Sequence, residues 1–309
     1  MTSATSEEEH VMTQELVDHR LQVGDRAPVI ALPDASGNVV EIVPADSAAT
    51  AVVFTSNGCP YALAWHDRIQ DVARDYADRG VQVVQIVPND AELQPLDSPA
   101  AMAARVERGE VAGTFLRDDD QTVARAFGAT ATPDVYVIDR HGVVRYHGAP
   151  DADYDDPAQR AIWLRDAIED LLADKDVTRP STSPAGCSVK WRLDLQWWAG
   201  CPSHDRAREM VLEVLDRMGR HDVRVQPVEV TSPAQAAALD FVGSPSFVIG
   251  GADLFADRGA PTALTCRTYR LEDGRFSPLP SIEELEKRMR AALVRPWELP
   301  GWVDFRKQQ

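Results

Sequence analysis

The dipeptide Cys-Pro occurs at 59–60 and again at 201–202, and each time it stands between an apolar run and a stretch with helical spacing. Upstream lie "TAVVFTS" (50–56) and "KWRLDLQWW" (190–198), which read as strands. Proline suits the first helical position, where its missing N–H would have no intrahelical acceptor. Downstream, a second Xaa-Pro opens another strand pattern in each case: Pro133 before "DVYVID" and Pro245 before "SFVIGG". A chain built this way must run a strand into a helix N-terminus twice, with a thiol at each junction.

The segments between these landmarks complete the plan. Two β-rich runs, 28–32 and 38–43, flank the turn signal Asp34–Asn38. Residues 60–79 carry helical spacing through Leu63, Ile69, Val72 and Tyr76, and "VQVVQIV" (81–87) reads as a buried strand. Helical stretches follow near 98–109 and 120–127. Strands 134–139 and 143–147 form a hairpin through Arg140-His141-Gly142, and 157–173 is an amphipathic closing helix. Residues 176–187 are rich in Pro, Ser and Thr and read as a linker. The order then restarts: helix 202–219, strand 222–230, helix 232–240, then 245–251 and 265–274 as a hairpin pair with a long connection. Last comes helix 281–294, with Ser281 as N-cap and Glu284 completing a capping box. The expected fold class is α/β with two tandem domains, each a mixed β-sheet covered by helices. Expected boundaries are a polar arm 1–20, a first domain 21–176, a linker 177–190 carrying Cys187, a smaller second domain 191–296 and a tail 297–309.

A net charge of −17, from 49 acids against 32 bases, argues against nucleic acid and against anionic membrane surfaces as partners. The N-terminus lacks a basic and apolar leader pattern, and no run approaches about 18 apolar residues, so no membrane span is expected. The expected location is the cytoplasm. Thiols there are held reduced, which points the four cysteines toward catalysis, redox sensing or metal binding rather than structural bridges. No phosphate-cradling glycine pattern and no paired CxxC spacing occurs, so neither a cofactor nor a structural zinc is expected.

At Cys59 the helix start places unpaired backbone N–H groups and the positive end of the helix dipole beside the sulfur, and both favour the thiolate. The alternative is a small buried hydrophobe. Pro133 is expected to be cis and to bring Thr132 beside the sulfur. Trp65 and Tyr61 read as wall or core residues, with Tyr61 placed to shape substrate access; His66 reads as a packing residue. Cys201 repeats the helix-start position, with Pro202 after it. His204, one turn on, falls within reach of Cys201: protonated it would stabilise the thiolate, neutral it could accept the proton. Pro245 is a second expected cis proline with Ser244 beside it. Cys266, in a β pattern, either packs structurally or borders the Cys201 site.

"NGCPY" (57–61), "NDAE" (89–92), "DSPAAM" (97–102), "LRDDDQTVARAFGA" (116–129), "TPD" (132–134) and "GCSVKW" (186–191) follow one another in the order found in the peroxiredoxin-like branch of the alkyl hydroperoxide reductase/thiol-specific antioxidant proteins. The first half therefore resembles that branch of the thioredoxin superfamily over about residues 22–191. The resemblance implies that Cys59 is a redox nucleophile, and its ending implies that Cys187, on a segment able to fold back, is the resolving thiol. Departures accompany it. Gly58 stands where the branch usually has His, and Ala131 where a Cys is often found. Ser56 keeps a hydroxyl three residues before the cysteine, but Val52 replaces the proline of true peroxiredoxins. A fast peroxidase is therefore not implied. The second half, over about 192–295, is similar to small thioredoxin-like proteins labelled alkylmercury-lyase-like, or the DF family, through Gly200–Pro202, Gly243 with Pro245, "GGADLFA" (250–256) and "CRTY" (266–269).

Three functions follow. In the first, a two-domain thiol oxidoreductase uses Cys59 to attack a peroxide or protein disulfide, Cys187 resolves it, a thiol supplies reducing equivalents and Cys201 acts as a relay. In the second, a soft-metal protein binds mercury or copper through Cys201, Cys266 and His204. In the third, the domains form a non-catalytic scaffold.

Overall fold

The structure, a computed structural model, describes residues 20–256 and 259–298. The arm expected over 1–20, apart from Arg20, and the tail beyond Glu298 lie outside the described residues. The chain divides into two compact units, with main spans Arg20–Lys190 and Trp191–Leu293.

The first unit begins with a hairpin, β1 (Ile30–Pro33) against β2 (Val39–Ile42). Its main sheet has the order β5-β4-β3-β7-β8, made of β3 (Ala49–Phe54), β4 (Val81–Val87), β5 (Thr114–Arg117), β7 (Asp134–Asp139) and β8 (Val144–Gly148). Strand β3 runs parallel to β4 and antiparallel to β7, so the sheet is mixed. Both β3 and β7 are buried along their whole length. That explains why their sequences are mostly apolar rather than alternating: a strand covered on both faces gains from apolar side chains on each.

One face carries helices α1 (Pro60–Tyr76) and α4 (Ile162–Leu172), which close over Ala51, Val53, Val135 and Val137. The other face includes α3 (Thr122–Phe127), and there Phe54, Phe127 and Tyr136 meet edge to face. Each such side chain contributes about 1.5–3 kcal/mol when fully buried. Helix α2 (Pro99–Glu107) is capped by Ser98, whose hydroxyl accepts from the Ala101 N–H.

Three expectations need correction here. Leu63 is not on the buried face of α1: it is 47% exposed, and Trp65 takes its place with Ile69, Val72 and Tyr76 at true helical spacing. Helix α4 starts at Ile162, not near 157, because Arg68 pins the preceding acidic loop through Asp151 and the carbonyls of Asp153, Tyr154 and Asp156. Residues 177–190 do not behave as a linker. His147 and Thr182 exchange backbone hydrogen bonds with the chain at 180–182 and 147, Val189 N–H donates to Thr130, and β9 (Cys187–Ser188) pairs antiparallel with β6 (Ala131–Thr132). The segment's backbone groups are satisfied by the first unit, which holds it there.

The second unit repeats the arrangement on a smaller scale. Its sheet has the order β11-β10-β12-β13, from β10 (Trp191–Trp197), β11 (Val223–Glu229), β12 (Ser246–Ile249) and β13 (Ala252–Asp253). Again the strand leading to the Cys-Pro, β10, lies between a parallel and an antiparallel neighbour. Helices α5 (His204–Arg217), α6 (Pro233–Ala238) and α7 (Ile282–Ala292) follow in order, and Ser281 caps α7 by accepting from Glu284 N–H. The expected hairpin between 245–251 and 265–274 does not form. Gly250 and Gly251, both at positive φ, turn the chain straight back into β13. The later segment makes its own ribbon, β14 (Tyr269–Arg270) with β15 (Phe276–Ser277).

Among the described residues no helix is long and apolar enough to cross a membrane.

Asp151 is fully buried and accepts from Trp65 Nε1 at 2.6 Å, Arg68 at 3.0 Å and Ala161 N–H at 2.9 Å. Removing one partner of such a pair leaves a buried charge without compensation. Asp151→Ala is expected to lower stability by about 3–5 kcal/mol, measured as the shift in urea midpoint; an unchanged midpoint would contradict this account of the α4 start.

Candidate functional site

Cys59 is the N-cap of α1, in extended conformation, with Pro60 at the first helical position. Its carbonyl opens the helical ladder by accepting from Leu63 N–H at 2.9 Å. The residue is 2% exposed, and in the thiol form its sulfur donates to the Thr132 carbonyl at 2.8 Å. The peptide Thr132–Pro133 is cis. Thr132 pairs in register with Cys187 across β6–β9, so the segment carrying the second thiol is laid directly against the residue touching the first. A Cβ on Gly186 would overlap the Thr132 carbonyl; only glycine lets the strand approach this closely.

The electrostatics follow from this packing. The neighbouring Cys187 thiol is the largest influence on the Cys59 sulfur, lowering its pKa from 9.0 to about 6. Burial opposes the shift, while the Ala62 and Cys187 backbone N–H groups and the Thr132 side chain add to it. The Thr132 hydroxyl is buried and has no other partner, which leaves it able to serve the sulfur.

Behind the loop lies a buried carboxylate that sequence reasoning missed. Asp97 accepts from Ser56 Oγ at 2.7 Å, Asn57 N–H at 2.6 Å and Asn89 Nδ2 at 2.7 Å. Burial pushes its carboxyl up despite these donors. Arg105 donates to Asn57 Oδ1 at 2.7 Å and to Glu110 at 3.0 Å, and lies 3.1 Å from the His66 ring. Burial and then Arg105 push the His66 imidazole below its ordinary value, in keeping with a packing residue. The far end of the Cys187 segment is tied to the same loop: Lys190 N–H donates to Asn89 Oδ1, and Asp90 N–H to the Lys190 carbonyl. The only sequence signal for this network was the polar content of "NDAE" and "DSP".

Ser56 therefore spends its hydroxyl on Asp97 and on Gly58 N–H, not on the sulfur. Gln94 fills the space a side chain at Gly58 would need. Tyr61 packs edge to face on Tyr154, with ring centroids 4.7 Å apart, as a wall residue.

In the second unit Cys201 is 3% exposed and its sulfur lies 3.4 Å from the Ser244 carbonyl; Ser244–Pro245 is the second cis peptide. Two expectations change. Pro202 is not at a helical position, because α5 begins at His204. The His204 ring is engaged elsewhere than at the sulfur: Nδ1–H donates to the Cys201 carbonyl at 3.0 Å, Nε2 lies 3.3 Å from Asp205, and the ring stacks on Trp197 at 4.3 Å. That hydrogen bond takes the carbonyl which, at Cys59, starts the helix. Cys266 forms a bridge with Ser244 and is exposed. With His204 engaged elsewhere, no group of three or more metal-ligating side chains exists among the described residues, so the three-donor set of Cys201, Cys266 and His204 is not assembled.

Residues 23–147 match the AhpC/TSA family model. A Mycobacterium tuberculosis protein carrying the name "Putative peroxiredoxin" is 29% identical over 130 residues, which are 41% of this chain and 76% of that protein. Among solved structures, a hypothetical protein from Sinorhizobium meliloti is 36% identical, covering 56% of this chain and 96% of its own, with a TM-score of 0.52. An uncharacterized conserved protein from Geobacillus kaustophilus is 34% identical, covering 56% of this chain and 94% of its own, also at 0.52.

The pKa shift at Cys59 predicts its reactivity. Alkylation of Cys59 by iodoacetamide should rise with pH through a midpoint near 6. Cys187→Ala should move that midpoint up toward the ordinary thiol range, by removing the largest favourable contact. The sign for stability is the same: the folded thiolate contributes fully above about pH 9, and the contribution is lost as pH falls through about 6. Equal midpoints for the two proteins would refute the assignment to Cys187.

Proposed function

We propose that this chain, whose residues 23–147 match the AhpC/TSA family model and whose N-terminal region is peroxiredoxin-like, is a thiol-dependent oxidoreductase in which Cys59 attacks a small hydroperoxide and Cys187 resolves the product. The reading is carried by the β6–β9 pairing, which lays Cys187 in register against Thr132, the residue whose carbonyl the Cys59 thiol touches at 2.8 Å. It lowers the barrier twice: it favours the attacking thiolate, and it holds the second thiol where the next bond must form.

The steps balance. The Cys59 thiolate attacks the distal peroxide oxygen; the O–O bond breaks, and the departing alkoxide or hydroxide takes a proton. Cys59 becomes a sulfenic acid. The Cys187 sulfur then attacks the Cys59 sulfur, an S–S bond forms and the hydroxyl leaves as water. An external thiol, either a thioredoxin-like protein or a small thiol, returns the pair to the dithiol by exchange.

Burial of Cys59 favours a small oxidant over a bulky protein disulfide. The Ser56 hydroxyl, committed to Asp97, is not free to polarise the peroxide, which fits an enzyme slower than dedicated peroxidases. Proximity of Cys187 favours rapid resolution and so protects Cys59 from further oxidation, an antioxidant role with few losses per turnover.

One equivalent of hydrogen peroxide added to the reduced protein should give a Cys59–Cys187 linked peptide in a mass-spectrometric digest. Cys59→Ser should lose thiol-dependent peroxide turnover while keeping its fold. Cys187→Ser should stop at a sulfenic acid on Cys59 that dimedone traps. Undiminished turnover in Cys59→Ser would reject the proposal.

A further inference from the structure

We propose that the second unit holds a separate redox-active dithiol, Cys201 with Cys266, which exchanges with a low-molecular-weight disulfide entering through the cavity that Cys266 lines.

The two sulfur-bearing residues converge on Ser244. The Cys201 sulfur lies 3.4 Å from the Ser244 carbonyl. Cys266 is bridged to the same residue: Ser244 N–H donates to the Thr265 carbonyl at 2.8 Å, and Arg267 N–H donates to the Ser244 carbonyl at 2.8 Å. Cys266 is therefore held between two backbone hydrogen bonds to the residue that Cys201 touches. The neighbouring ties are firm as well. Arg267 reaches Ser246 Oγ, Asp253 and the Phe255 carbonyl, and the Tyr269 hydroxyl donates to the Pro245 carbonyl. Desolvation and then the nearby Cys201 sulfur push the Cys266 thiol up, the direction expected when two thiols share one site.

The first unit has a comparable arrangement: a sulfur ahead of a helix on the carbonyl of the residue preceding a proline, and a second cysteine paired with that residue, antiparallel there and through a parallel bridge here. The sites differ in access. Cys201 is buried, whereas Cys266 is exposed on a cavity of about 870 Å³ walled by Phe255, Tyr269, Arg270, Phe276 and Lys287. That volume lies in the range of small-molecule sites. The cavity belongs wholly to the second unit and needs no contribution from the Cys59 site.

Access sets the order of the reaction. The Cys266 thiolate attacks one sulfur of the entering disulfide, a mixed disulfide forms on Cys266, and the first thiol leaves with the proton Cys266 gave up. The Cys201 thiolate then attacks the Cys266 sulfur. A Cys201–Cys266 disulfide forms, and the second thiol leaves with the proton from Cys201. One small disulfide is reduced to two thiols, and one protein dithiol is oxidised.

The test uses the full-length protein equilibrated with oxidised glutathione, acid-quenched and mapped by mass spectrometry, with diamide as a second oxidant. A Cys201–Cys266 linked peptide, lost on adding dithiothreitol, is the expected result. Cys201→Ala should instead retain one glutathione on Cys266, and Cys266→Ala should leave Cys201 unmodified. Absence of the linked peptide with both oxidants would overturn the dithiol, and its formation with diamide alone would overturn the small-disulfide substrate. The Cys59–Cys187 peptide is read in the same digests, so failure of either site is scored independently of the other.

Discussion

The pairing of Thr132 with Cys187 organises the first unit's chemistry, and it consists of a two-residue ladder. Such a short strand has little stability of its own, since each backbone hydrogen bond is worth only about 0.5–1.5 kcal/mol net. It is held by its flanks. Gly186 allows the close approach at one end; at the other, Val189 and Lys190 find backbone partners in Thr130 and Asp90, and Lys190 N–H donates to the Asn89 side chain. Once the ladder is in place, a thiol that is distant in sequence becomes the main determinant of the Cys59 charge. The same contact aligns the two sulfurs that must join. Activation of the nucleophile and capture of its oxidised form thus depend on one geometric relation.

That relation requires the α1 N-terminus to stay rigid, and the Asp97 cluster supplies this. A carboxylate buried among Ser56, Asn57 and Asn89 draws the loop before Cys59 and the loop after β4 together. Such networks are worth keeping only when fully satisfied, and Arg105 extends this one through Asn57 to Glu110. The cost falls on Ser56. A hydroxyl bound to Asp97 steadies the loop but cannot also serve a substrate oxygen. Loop rigidity and peroxide polarisation compete for one group, and here rigidity has it.

Much of this was legible in the sequence, and the exceptions share a cause. Strands β3 and β7 stand out because burial on both faces leaves a mostly apolar record without alternation. The Cys-Pro junctions and the two proline-led strands mark the sites because each residue type there has few alternatives. The segment 177–190 reads as a linker because a strand of two residues carries no periodicity and its Pro and Ser content is that of a linker. Its partners lie far away in the chain. Leu63 was misplaced on the buried face because it is apolar; the spacing of Trp65, Ile69, Val72 and Tyr76 was the better guide. Asp97 and His204 show the same limit. A carboxylate or imidazole type is visible in sequence, but whether its partner is a sulfur, a backbone carbonyl or a ring depends on tertiary packing.

The two Cys-Pro junctions show how one plan yields different thiols. At Cys59 the backbone carbonyl opens the helical ladder, so the sulfur sits at the true N-cap with the helix's free N–H groups before it. At Cys201 the His204 side chain takes that carbonyl, the helix begins at His204, and the sulfur stands outside the first turn. Helix-dipole effects fall off within a turn, so the second junction cannot rely on them as the first does. What it keeps is placement: a sulfur on the carbonyl before a proline, with a second cysteine beside it. It adds exposure, since Cys266 opens on a cavity where Cys187 faces a buried neighbour. A buried, strongly activated thiolate suits a small and reactive oxidant that needs little guidance. An exposed, less acidic thiol in a wider cavity suits a larger and slower partner that must first be bound. Helix start and access therefore separate the chemistry of two sites whose strands, prolines and cysteines follow one pattern.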